Sequence, residues 1–428
     1  MSTFYGWRVV SAAFVLAAFG WGIGFYGPPV FLRVLCETRG WPVALVSSAV
    51  TAHFLTGALV GARLPAIHAR LGISVTTKIA VLSLAAGVLG WSTAVDAWQV
   101  FVAALFSGVG WSAMSAAALN AIVSPWFVRT RPAALAMAYN GGSIGGVIFS
   151  PLWVAAIGLV GFPAAAATIG LAAMLTMWVL ADAVFSRTPQ QMGLMPDGDA
   201  PALPAACGAS PPAQHLAGSR LWRDWKFLTL AAGMASGLFA QIGLTAHLFS
   251  LLAPTVGAQQ AGLMMGGATA LAIVGRTSIG WLMPAGADRR LVACASYAVQ
   301  AAGSIIFILA AGTSIPLLLS GIVLFGTGFG NATSLPPLIA QTEFANDDVP
   351  RVVALIVAIA QAGYAFAPAA FGLIRAAQSG ATDVTPAAPH LFLAAALLQG
   401  LAIAALLAGR HRWLTSGSCG SFRPPARY

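Results

Sequence analysis

Charge is what this sequence has least of. Only 7% of its 428 residues are charged, against about a quarter in an ordinary water-soluble chain. With 59% of residues hydrophobic, no soluble core needs that composition, and lipid is the solvent it suits. Cysteine is scarce too: Cys36, Cys207, Cys294 and Cys419 stand far apart, which excludes a disulfide framework and a cysteine metal site. No soluble segment holds a Ser/His/Asp arrangement, a metal-ligand spacing or a dinucleotide fingerprint, so no enzyme, metal or cofactor is expected. The net charge of +10 forms no stripe of Lys and Arg interleaved with aromatics, which excludes a nucleic-acid partner.

Apolar length is what the chain has in abundance. Windows long enough to cross a bilayer, each about 20 residues or more, run over residues 9–35, 43–66, 77–95, 98–123, 133–157 and 162–185. A second set runs over 226–253, 257–283, 290–311, 315–341, 351–375 and 389–409. The expectation is an all-α membrane protein with 12 transmembrane helices in two pseudo-symmetric six-helix bundles. The bundles are expected at residues 1–185 and 224–409, with a linker at 186–223 and a tail at 410–428. Six prolines between Arg187 and Arg223 suit a flexible linker. The first apolar run is too long for a signal-peptide core and is read as a span.

Basic residues are distributed very unevenly over this map. Of 21, the 17 that fall on the side of the N-terminus are Arg8, Arg63, Arg70, Lys78, Arg129, Arg131, Arg187, Arg220, Arg223, Lys226, Arg289, Arg290, Arg351, Arg410, Arg412, Arg423 and Arg427. Arg33, Arg39 and Arg375 fall on the other side, and Arg276 lies inside a span. The positive-inside rule then places both termini and the linker in the cytosol of a bacterial-type inner (plasma) membrane.

The two sets of windows also share landmarks. Trp7 and Arg8 recur as Trp225 and Lys226, and Gly108, Gly110 and Trp111 as Gly326, Gly328 and Phe329, both at an offset of 218 residues. Pro65, Ala66 and Arg70 recur as Pro284, Ala285 and Arg289 at 219. Three landmarks in one order at offsets of 218 to 219 residues point to duplication of a six-helix unit.

The run Trp126, Phe127, Val128, Arg129, Thr130, Arg131, Pro132, continued by Ala133 to Ala138 and by Gly141 and Gly145, resembles a known signature. It opens span five in the monocarboxylate-transporter-like and oxalate/formate-antiporter-like branch of the major facilitator superfamily. Tyr5, Gly6 and Trp7 are similar to that branch's opening of span one, and Gly275, Arg276, Ser278 and Gly280 to its span-eight arginine motif. His247 and Leu248 at the close of span seven add to the resemblance. It implies the major facilitator fold, alternating access, and a small organic anion, a monocarboxylate, held near mid-membrane between the halves. Two positions depart from the pattern. The loop after span two carries Ala69 where the family has an Asp, within the register Pro65, Ile67, Ala69, Arg70 and Gly72. The Asp that the branch pairs with its span-eight arginine is Ala272.

Among the residues themselves, Arg276 gives the sharpest signal. A guanidinium in hydrocarbon costs at least ~2.5 kcal/mol, so Arg276 should face protein or water, either as a bidentate clamp for a carboxylate or as a snorkelling side chain. The acids Glu37, Asp96, Asp182, Asp197, Asp199, Asp224, Asp288, Glu343, Asp347, Asp348 and Asp383 all map to loops or span ends, which leaves a transport site net positive or neutral. The titratable groups left at depth are His247 and His53, the candidates for carrying a proton; either also suits neutral packing. Tyr26, Gln241, Asn331, Tyr139, Asn140, Gln361 and Tyr364 are the uncharged polar candidates for the substrate site, with interhelical hydrogen bonding as the alternative role for each. Tyr139 and Asn140 share the depth of Arg276, and Gln361, Tyr364 and His53 share a mid-membrane level. The expected partners are a small-molecule anion, a proton or counter-anion, and membrane lipid, for a monomer. Two other readings stay open: an exporter of a neutral or amphipathic compound, and a membrane sensor that keeps the fold without flux.

Overall fold

The computed structural model describes residues 4–198, 221–284, 287–345, 348–379 and 387–416. Most of the linker, the tail beyond 416, Cys207, Cys419 and Asp383 lie outside the described residues. Every described element is helical, and 11 helices are long and apolar enough to cross a membrane. One of them, Val43–Thr93, has 51 residues and would be roughly 76 Å long if straight, more than twice the hydrocarbon thickness. It breaks at Gly72, whose φ of 75° is left-handed territory that glycine enters without cost. The pieces on either side lie against the same neighbour: Gly108 meets His53 and Thr56, and Gly110 meets Ala80 and Leu84. Spans two and three are thus one hairpin of helix, and the chain crosses 12 times.

The landmarks found at the 218-residue offset do the same work in both bundles. As Gly108 and Gly110 seat span four on spans two and three, Gly326 seats span ten on Ala268 and Leu271 of span eight, and Gly328 seats it on Ser296 and Gln300 of span nine. Both helices then break just beyond, after Ser112 in span four and at Gly330 in span ten. Spans one and eleven break too, each at a proline that cannot continue the hydrogen-bond ladder. Span one divides into Tyr5–Gly24 and Gly27–Arg39, the second opening with Gly27, Pro28 and Pro29. Span eleven divides into Val349–Tyr364 and Ala367–Ser379, where Pro368 begins the second piece.

The scarce carboxylates are spent on helix ends. Asp224 accepts from the backbone N–H of Lys226 and Phe227, Asp288 from Arg290 and Leu291, and Asp96 forms a capping box with Gln99. Asp197, from the linker, caps the start of span five across the chain, accepting from the N–H groups of Val128, Arg129 and Thr130 at 2.9, 2.8 and 3.1 Å and from the Thr130 hydroxyl. These bonds, led by the hydroxyl, hold its carboxyl well below the usual carboxylate range. Negative charge at a helix N-terminus satisfies orphan N–H groups and the helix dipole together.

Two bundles stand side by side, and the bonds between them fall unequally. We call the face with Tyr5, Asp197 and Arg410 the terminal face and the opposite one the far face. Toward the far face Thr51 Oγ1 accepts from the Ala369 N–H at 3.0 Å, and Gly372 lies on Ser47. Gly262 and Gly266 of span eight lie against Val147, Ser150, Pro151 and Val154 of span five. Toward the terminal face the bonds we describe close within one bundle: Lys78 to Asp182 at 2.5 Å in the first, Arg290 to Glu343 at 2.6 Å and Arg410 to Asp288 at 2.5 Å in the second.

Candidate functional site

The breaks in spans one and ten put unusual groups at mid-membrane. Tyr26 caps the second piece of span one and is buried at 5% exposure. Its ring and the Thr269 methyl of span eight both lie against Gly146, where the two bundles meet. Gly146 of span five makes the approach possible, because a Cβ there would sit 2.5 Å from the Tyr26 ring and 2.7 Å from the Thr269 methyl. Two turns beyond Thr269, roughly 10 Å toward the terminal face, comes Arg276. It is half-buried, and its Nε donates to the Gly330 carbonyl at 3.1 Å. Nη1 and Nη2 have no protein acceptor among the described residues. The arginine is thus pinned by one nitrogen to the broken span ten, with its fork unspent.

An aromatic wall from the first bundle flanks this centre. Phe25 meets Tyr26, Phe54 and Trp111 at ring-centroid distances of 4.9, 6.0 and 6.3 Å. Phe54 touches Tyr364 of span eleven edge-on at 6.2 Å, a second contact between bundles. Tyr26, Arg276 and Tyr364 are therefore brought to the interface between the halves.

The other sequence candidates go elsewhere. Tyr139 Oη takes the Asn120 amide at 2.5 Å and lies 3.2 Å from the Ala116 carbonyl, a cluster inside the first bundle. Equal depth with Arg276 does not become contact for it, and Asn140 shows no bond to the arginine. His53 bonds Ser107 through Nδ1 at 2.9 Å, sharing that hydroxyl with Trp91, so it is tied to span four rather than to Tyr364. Asn331 is buried in a small cavity within the second bundle, beside Tyr297, Ser296 and Met234, and its Oδ1 has no partner. Gln241 is buried in span seven with Oε1 unpartnered, and Gln361 is half-buried. His247 is fully buried toward the far face, where Nε2 donates to the Pro368 carbonyl at 3.0 Å. Ala272, where the resemblance would have an acid, is buried against Gly330 and fills a packing position.

Arg375, expected on the far side, does lie toward the far face, but it is 1% exposed and enclosed by its neighbours, a second cation buried in a span beside Arg276. The apolar window ended at 375, but the helix runs on to Ser379, so the side chain lies a full turn inside the helix end. Thr269, Phe54 and Ser250 were also missed; a lone hydroxyl or Phe in an apolar window carries no signal by itself.

Comparison with known proteins bears on the whole arrangement. Residues 89–368 match the model of the Major Facilitator Superfamily. Of the curated proteins compared by sequence, none matches. Among solved structures, a bacterial homolog of the human lysosomal transporter Spinster, in an inward-facing and unoccupied conformation, superposes with a TM-score of 0.69 at 14% identity, over 98% of each chain. The nucleoside transporter NupG gives a TM-score of 0.69 at 12% identity, covering 96% of this chain and 99% of its own. Identities this low speak for the fold.

Proposed function

We propose that this chain, which belongs to the major facilitator superfamily and is a secondary transporter, carries a small organic anion, a monocarboxylate, by alternating access between its two bundles. The observation that carries the reading is Arg276: a half-buried cation on the face of span eight that carries Thr269, with no carboxylate bonded to it and its two terminal nitrogens without protein acceptors among the described residues. A planar carboxylate matches that fork bidentately, and Tyr26 stands across the interface to close on it. Residues 1–185 and 224–409 would be the moving bundles, joined by the linker 186–223 and followed by a tail at 410–428. With both termini in the cytosol of a bacterial-type inner membrane, bundles joined toward the far face would leave Arg276 open to the cytosol. With no acid bonded to Arg276 among the described residues, either exchange of one anion for another or a proton carried on a histidine is favoured. His247 suits the second role, since its Nδ1 lone pair is vacant.

The aromatic wall of Phe25, Phe54, Trp111 and Tyr364 supports a second reading, export of a neutral or amphipathic compound with Arg276 in a packing role. A thermal-shift screen of the purified protein against small carboxylates and matched neutral amides separates the two. A ligand at 100 times its Kd stabilises the folded state by ~2.7 kcal/mol. Stabilisation by lactate or a similar acid, together with uptake of that labelled acid into proteoliposomes, is expected. Stabilisation by the neutral compounds alone would favour export.

A further inference from the structure

Toward the far face lies a second concentration of positive charge that the central site does not use. Arg375 is buried in the second piece of span eleven, yet Nε and Nη2 of its guanidinium have no hydrogen-bond partner. Nη1 donates to Ser250 Oγ at 2.5 Å, and Ser250 donates in turn to the His247 carbonyl at 2.7 Å. His247 Nδ1 is likewise buried and unpartnered. From the other bundle, the second piece of span one, Gly27–Arg39, packs against span seven and carries Arg33 and Cys36. Arg33 Nη2 binds Glu37 at 2.5 Å, while its Nη1 is buried without a partner. Glu37 binds Arg33, and three nitrogens of the two guanidinium groups, Nε and Nη2 of Arg375 and Nη1 of Arg33, find no acceptor.

Buried N–H groups without acceptors, on groups that cannot shed their charge, are costly, and an anion placed among them recovers that cost. We propose that Arg375, Ser250 and Arg33 form an anion station toward the far face, which takes a small carboxylate or halide between spans one, seven and eleven, apart from the Arg276 centre. The donors come from both bundles, so a bound anion ties the far face shut. Only the choice of a carboxylate ligand rests on the function proposed above; chloride offers the same donors a single acceptor.

Half-buried Cys36 reports on occupancy. In a variant keeping Cys36 alone, labelling by a membrane-impermeant maleimide is followed from the far face while lactate or chloride is titrated against isethionate at constant ionic strength. Saturable slowing by at least threefold is expected, with the half-maximal anion concentration at least tenfold higher in Arg375→Gln and intermediate in Arg375→Lys. Each variant is first passed through fluorescence-detected size exclusion, and Arg375→Lys alone is scored if the Gln variant does not fold. Slowing by lactate alone assigns the station to a carboxylate; slowing by both assigns it to small anions generally. No slowing by either anion, or slowing unchanged in the variants, overturns the proposal. Slowing without lactate uptake would sink the monocarboxylate function and leave the station standing; uptake that depends on Arg276 without slowing does the reverse.

Discussion

Replacing Arg276 with lysine keeps the charge and removes the fork. In the structure Nε is occupied by the Gly330 carbonyl at 3.1 Å, so the two remaining nitrogens are the pair that grips a carboxylate. Lysine ends in a single nitrogen, which cannot serve Gly330 and both carboxylate oxygens in those directions. At least one charge-assisted hydrogen bond is lost, worth ~1.5–3 kcal/mol. At 1.4 kcal/mol per factor of ten, Arg276→Lys should weaken carboxylate binding by about 10- to 150-fold. The assay is concentration-dependent uptake of the carboxylate that stabilises the protein best, in proteoliposomes with matched amounts of folded protein, paired with its thermal-shift Kd. An Arg276→Lys protein that folds and binds within threefold of the parent would refute the clamp and return Arg276 to a packing or snorkelling role.

Three further outcomes follow from named contacts. Arg290 is 2% exposed and ties four spans together through Glu343, Thr229 Oγ1 and the carbonyls of Lys226 and Leu406. Glu343→Ala therefore strands a buried cation and should destabilise by ~3–5 kcal/mol, whereas Asp182→Ala at the exposed Lys78 pair should cost ~1 kcal/mol or less, both read from thermal melts. Asp197→Ala should release the linker from span five and speed tryptic cleavage after the exposed Arg187. The carboxyl of Asp197 is depressed by folding, so its contribution is fully present above the unfolded carboxylate pKa of about 4 and fades only on acidification below it. A parental cleavage rate that rises already between pH 7 and pH 5 would count against that contact. Finally, with His247 as proton carrier, His247→Gln should abolish acid-stimulated uptake and spare counterflow exchange; persistence of both would discard the histidine.

The membrane architecture was legible in the residues because its causes are local. Apolar length, the one-sided basic residues and the repeated Trp, Gly and Pro landmarks are properties of consecutive positions, and hydrocarbon thickness turns them into spans. The depth of a side chain along its helix could be counted as well, which is how Arg276 and Tyr26 were singled out. What counting could not supply was direction around the helix axis and the extent of each helix beyond its apolar window. Tyr139 shares the level of Arg276 but turns to Asn120. Tyr26 and Thr269 close on one another at Gly146, which leaves room for the ring. Arg375, at the end of its apolar window, is enclosed because the helix continues to Ser379 and span seven bonds it through Ser250. Composition therefore determined that this chain crosses a membrane 12 times in two related halves. Only the packing of those halves decided which few polar groups meet, since hydrogen bonds act over about 3 Å and depend on the rotation of every helix at once.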